Sequence, residues 1–125
     1  MFIQRFAVSL ATDGSGNFTG YTPVLNGRIV GVVYAKDGSN PLSNGGTLTV
    51  SAEATAEAIL TVANLNASAS YYPRSPVHAS SNGGVLTFDG TWPLADPVRV
   101  AQDRVKVALA GAGANKVGVV YVIVE

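Results

Sequence analysis

Apolar and polar residues alternate with period two along much of this chain. In residues 2–10, Phe2, Gln4, Phe6, Val8 and Leu10 fall on one face, and Ile3, Arg5, Ala7 and Ser9 on the other. A mostly apolar face of this kind predicts a half-buried strand. Residues 47–52 repeat the pattern, with Leu48, Val50 and Ala52 set against Thr47, Thr49 and Ser51. Residues 28–36 and 117–124 differ, because apolar side chains occupy both faces, as expected of strands inside a sheet. The alanines and glutamates of residues 51–58 favour helix by propensity. No helical stripe of large side chains accompanies them, so two strands are predicted, 47–52 and 58–63, joined by a turn near 53–57.

Glycine, asparagine and proline punctuate these runs. The clusters at 12–17, 37–46 and 73–84 predict turns or exposed loops, and Asn26-Gly27 predicts a tight turn. Residues 85–88 and 98–100 read as short strands. Residues 104–110, the Gly111-Ala112-Gly113-Ala114-Asn115-Lys116 turn and residues 117–124 read as a hairpin deep in the core. About eight short strands follow, the pattern of a single all-β domain: an antiparallel β-sandwich or a jelly-roll-like barrel.

Composition narrows the partners. Eight basic and eight acidic residues leave a net charge of zero, and only 13% of residues are charged. A nucleic acid or an anionic membrane would reward clustered lysine and arginine, so neither is expected. So little charge on a small domain favours assembly, with part of the surface covered. The absence of cysteine excludes disulfides and thiolate metal sites. No apolar run reaches the length of a membrane-spanning helix.

Candidate chemistry is sparse. His78 is the single histidine and has no motif around it, so neither a metal site nor a catalytic triad is predicted. Glu53 and Glu57, and Asp89, Asp96 and Asp103, sit beside turns, which explains them more simply than paired-carboxylate chemistry. The 111–116 segment lacks the glycine spacing and the Lys-Ser/Thr pair of a phosphate loop. No catalytic residue, metal or cofactor is therefore assigned, and the chain is not expected to be an enzyme. Aromatic and arginine side chains are enriched at binding hot spots. Phe2, Arg5, Tyr71, Tyr72, Arg74 and Trp92 are thus the candidate interface residues, together with loops 37–46 and 71–84. Residues 2–6 could also pair with a neighbouring subunit, although pairing within their own sheet is the simpler expectation.

Several segments taken together carry a resemblance. They are Ile3-Gln4-Arg5-Phe6, Gly20-Tyr21-Thr22-Pro23 with Asn26-Gly27-Arg28, Asn66-Ala67-Ser68-Ala69, Tyr72-Pro73-Arg74, and Asp103-Arg104-Val105-Lys106-Val107. In this order and spacing the chain resembles small structural proteins of tailed bacteriophage virions, over most of its length. The resemblance implies a decoration or cement protein: a β-sandwich or barrel made in the host cytoplasm that binds the outside of the head. Its partners would be the major capsid protein and further copies of itself, a trimer being favoured over a dimer. It implies no catalytic residues. A tail or fibre module of the virion and a carbohydrate-binding β-sandwich, with Trp92 or Tyr72 stacking on sugar, are the alternatives.

Overall fold

The computed structural model describes residues 3–78, 82–87, 90–91 and 93–125. Two antiparallel sheets pack face to face as a β-sandwich, and no helix occurs among the described residues. The strands are β1 (Gln4–Ala11), β2 (Phe18–Tyr21), β3 (Leu25–Lys36), β4 (Thr47–Ala52), β5 (Ala58–Ala63), β6 (Ala69–Tyr71), β7 (Arg74–Pro76), β8 (Ala95–Asp103), β9 (Val105–Ala110) and β10 (Val117–Val124). The first sheet runs β1-β10-β3-β8-β7, with β6 added on β3; the second runs β2-β9-β4-β5. Two of the ten strands, β6 and β7, are only three residues long and are not among those expected, while the strand expected at 85–88 is replaced, among the described residues, by isolated bridges at Val85 and Thr87.

Alternation is realised as expected in β1 and β4. Val8 and Leu10 of β1, and Leu48, Val50 and Ala52 of β4, are buried between the sheets. β3 is apolar on both faces for a local reason. Ile123 of β10 faces Gly31 of β3, while the next residue, Val124, faces Ile29. Val30 is thus the extra residue of a β-bulge, and the inward register passes from Ile29 to Val32 and Tyr34. The Asn26-Gly27 pair is not a hairpin turn, because β3 runs through it. A second irregularity sits there, where Leu25 faces Asp103 and Gly27 faces Val100. The Asn26 side-chain oxygen accepts the Gln102 N–H at 2.7 Å and fastens the distortion.

The final hairpin is also overturned. β9 lies in the second sheet, between β2 and β4, and β10 in the first, between β1 and β3. Residues 111–116 therefore carry the chain from one layer to the other. β10 is a central strand: Gly118, Val120, Val122 and Val124 are buried, while Val117, Val119, Tyr121 and Ile123 form a half-exposed row outside. Each fully buried valine or isoleucine contributes roughly 1.5–3 kcal/mol relative to exposure. Tyr34 lies flat over Gly118, where an added Cβ would come within 2.9 Å of the ring. Its hydroxyl is buried beside the Leu42 backbone without a hydrogen bond of good geometry, and burial raises its pKa above the ordinary 10.0.

One end of the sandwich is closed by three loops. Thr12 N–H donates to Lys116 O at 2.9 Å, Ala112 N–H to Gly16 O at 3.0 Å and Ser43 N–H to Ala112 O at 2.8 Å. The Thr12 hydroxyl donates to Gly113 O at 2.6 Å and accepts the Lys116 N–H at 2.7 Å. The 37–46 segment is thus not a free loop. Leu42 and Ala112 are buried within this end.

Candidate interaction surface

β3 offers one edge to two strands. β8 pairs along residues 25–29 and β6 along residues 32–34. The chain between β6 and β8 is an arm, residues 72–94, which begins by adding β7 beside residues 95–97 of β8. The arm is a small ribbon of three extended pieces. Val77 N–H donates to Leu94 O, Leu86 N–H to Val77 O, and Leu94 N–H to Leu86 O, each at 2.8 Å. His78 bridges Val85, and Thr87 bridges Pro93. The Asn82 side-chain oxygen accepts the Gly84 N–H at 2.8 Å, and the Thr87 hydroxyl accepts the Gly90 N–H at 3.0 Å.

Four large apolar side chains on the described part of the arm are exposed. Tyr72 is 68% exposed, Val85 51%, Leu86 39% and Leu94 43%. These are four of the seven exposed large hydrophobic residues among the described ones. Arg74 is the sole charge on the described part of the arm, and it forms no ion pair among the described residues. Exposed apolar side chains with little charge among them have the character of an interface rather than of a solvated loop.

The predicted interface residues are only partly gathered here. Tyr72 and Arg74 stand exposed on the arm. Tyr71 pairs with Val32 and packs against the core, so Tyr71 and Tyr72 do not form one exposed aromatic platform. Arg5 lies on the outer face of the first sheet, its guanidinium 4.7 Å from the Tyr121 ring centroid. Phe2 and Trp92 lie outside the described residues, as does Asp89. Residues 4–11 pair with β10 within their own sheet. Val85, Leu86 and Leu94 were missed because an alternating or proline-flanked apolar residue reads as core when its neighbours in space are unknown.

Apart from exposed Glu57, the described carboxylates sit in structural contacts. Glu53 pairs with Arg104 at 2.5 Å and Asp96 with Arg99 at 2.6 Å. Asp103, largely buried, accepts the Ala54 N–H at 3.0 Å and the Arg104 N–H at 2.8 Å, which ties the β4–β5 turn to the end of β8. Glu125 is paired with Arg28. Asp13 accepts the Asn17 and Ser15 N–H groups, and Asp37 those of Asn40 and Ser39; these bonds hold both carboxyls below the ordinary 3.8. No cluster of three metal-ligating side chains occurs among the described residues. The surface depressions are shallow, and the one over β2, β9 and β4 is floored by Ala108 and lined by Thr19, Thr47 and Thr49.

Comparison with protein families, with characterised proteins and with solved structures finds no match to this chain.

Proposed function

We propose that this protein is a virion structural protein, most concretely a decoration protein that binds the outer surface of a tailed-phage head as a homo-oligomer and stabilises the shell. The observation that carries the reading is the arm, on which Tyr72, Val85, Leu86 and Leu94 are exposed and Arg74 is the one charge among the described residues. The resemblance of the chain to small phage head proteins supplies the partner, the major capsid protein. Mechanically, the sandwich is a rigid platform and the arm a contact that spans joints between capsid subunits. Each contact is small, but copies linked in an oligomer bind together, so modest single affinities suffice.

The test uses purified particles of the phage that encodes the chain. Protein quantification and imaging should find hundreds of copies per particle, all on the head. A low copy number confined to the tail would instead support a tail or fibre module and sink the decoration reading. On bare heads, the double variant Leu86→Ser, Leu94→Ser and the variant Tyr72→Ala, Arg74→Ala should each bind at least ~10-fold more weakly, the loss expected on removal of hot-spot side chains. Unchanged binding of both would move the contact away from the arm.

A further inference from the structure

The free edge of the second sheet is built unlike the others. β1 and β2 close one flank by lying against each other. On the opposite flank the first sheet ends in β7, whose three residues include Arg74 and Pro76. The second sheet ends there in β5, Ala-Ile-Leu-Thr-Val-Ala, with neither charge nor proline. Edge strands are ordinarily guarded by such residues, because unpaired backbone N–H and C=O groups accept another strand. β5 has one guard, the irregularity that leaves Ile59 as an extra residue, and residues 60–63 beyond it are regular. A second observation concerns the core. Leu60 and Val62 face inward yet remain half-exposed, whereas Val50 and Leu48 opposite them are fully buried. The core is unfinished along this edge.

We propose that β5 pairs antiparallel with β5 of a second copy, about a two-fold axis at Thr61, so that two four-stranded sheets become one of eight. The pleat requires the axis to pass through a residue, since residues directly opposite must share a face. Centring on Thr61 places Leu60 opposite the partner copy's Val62, and Val62 opposite its Leu60. The four half-exposed aliphatic side chains then cover one another over the seam. On the outer face Thr61 meets the same residue of the partner, a favourable cross-strand pair. A second copy is the occupant because this edge complements itself in shape and charge. The antiparallel arrangement carries exposed Glu57 past the far end of the partner's strand, beside the neutral Asn64 and Asn66, whereas a parallel one would set two Glu57 carboxylates side by side. The contact closes at two copies, because an isologous interface consumes itself. A strand of six residues spans only about 20 Å, so the pairing is concentration-dependent in solution. The inference rests on the self-association in the functional reading and needs nothing from its capsid partner.

Because the chain has no cysteine, Thr61→Cys introduces its single thiol. Directly opposed residues lie within disulfide reach. Mild oxidation should link most of the protein into a covalent dimer, while Thr19→Cys, exposed on edge strand β2, stays largely unlinked. Thr61→Lys sets two ammonium groups face to face across the axis and should weaken the dimer at least ~10-fold in sedimentation, with Thr19→Lys without effect. Equal linking of the two thiol variants, or a dimer indifferent to Thr61→Lys, overturns the proposal. A protein that coats heads without any Thr61 linkage overturns the edge pairing and keeps the decoration reading. A Thr61-linked dimer that ignores heads does the reverse.

Discussion

The closed end of the sandwich and the arm are made of the same kinds of residue, and they do opposite things. Both are rich in glycine, serine, asparagine and proline. At the closed end the backbones of three loops bond to one another, and Leu42 and Ala112 are turned inward. On the arm the backbone bonds to itself and, through β7, to the start of β8, and Val85, Leu86 and Leu94 are exposed. Glycine separates the two most clearly. A Cβ on Gly16 would sit 2.8 Å from the Gly113 nitrogen, and one on Gly46 2.9 Å from the Ala112 Cβ. A Cβ on Gly83 or Gly90 of the arm would meet nothing within 4 Å. In one region glycine lets backbones touch; in the other it only lets the chain turn. Composition marks both as loops, and only the neighbours in space distinguish them.

The contrast can be broken most easily at those glycines. Gly16 has φ 82° as well as no room, so Gly16→Ala should cost ~2–4 kcal/mol in urea unfolding. Gly83→Ala and Gly90→Ala meet only the left-handed backbone penalty and should cost ~1–2 kcal/mol. Equal costs would erase the distinction. Next come the aliphatic side chains. Leu48→Ala leaves a cavity in the core and should lose ~2–5 kcal/mol, while Leu86→Ala on the arm should change stability by less than ~0.5 kcal/mol. A large loss at Leu86 would mean that the arm is part of the core. Thr12→Val keeps the shape of the closed end but removes the hydroxyl between Gly113 O and Lys116 N–H. It should cost ~1–3 kcal/mol, because both backbone groups lose their partner, and the same unfolding assay reads it.

The smallest effect is electrostatic. Asp13 and Asp37 have folded pKa values below the ordinary 3.8 because turn N–H groups bond their carboxylates. A group depressed on folding stabilises the protein above its unfolded pKa, and that contribution is lost as pH falls through the folded value. The loops at the closed end should therefore loosen below about pH 4, the region of these carboxyls. Asp13→Asn and Asp37→Asn should flatten the acid side of the stability profile without altering the arm. An unchanged profile would show that these bonds carry nothing.

Much of the sandwich was legible because alternation and burial coincide. β4 and β5 fall on residues 47–52 and 58–63, as their pattern predicts, and the Glu53–Glu57 turn lies between them. The failures share one cause. Asn26-Gly27 and the 111–116 segment both carry turn chemistry, but a turn signal does not say which strands it joins. At Asn26 the chain continues through a bulge; at Gly111 it changes sheets. Residues 73–84 of the arm read as a loop from their prolines and glycines, but 85–88 read as a strand, and among the described residues only isolated bridges form there, at Val85 and Thr87. Tyr72 and Arg74 were visible as candidates, since exposed tyrosine and arginine advertise themselves by type. Leu86 and Leu94 were not, because nothing local distinguishes an aliphatic side chain in a core from one awaiting a partner.

The position of β10 has a bearing on how the molecule comes into being. In the first sheet, Gln4 faces Val124, and Lys36 faces Gly118. The two strands that flank β10 are thus made early and wait for it. Until the ribosome has added residue 124, β1 has no neighbour in its sheet and the long side of β3 stands open. Pairing of β3 with β6 and β8 needs only residues 25–103, whereas the pairing of β1 and of the other side of β3 must wait for residues 117–124. Such widely separated pairings are slow to find. The order of strands thus makes β10, the last of the ten to be made, the one that joins β1 to the rest of the first sheet.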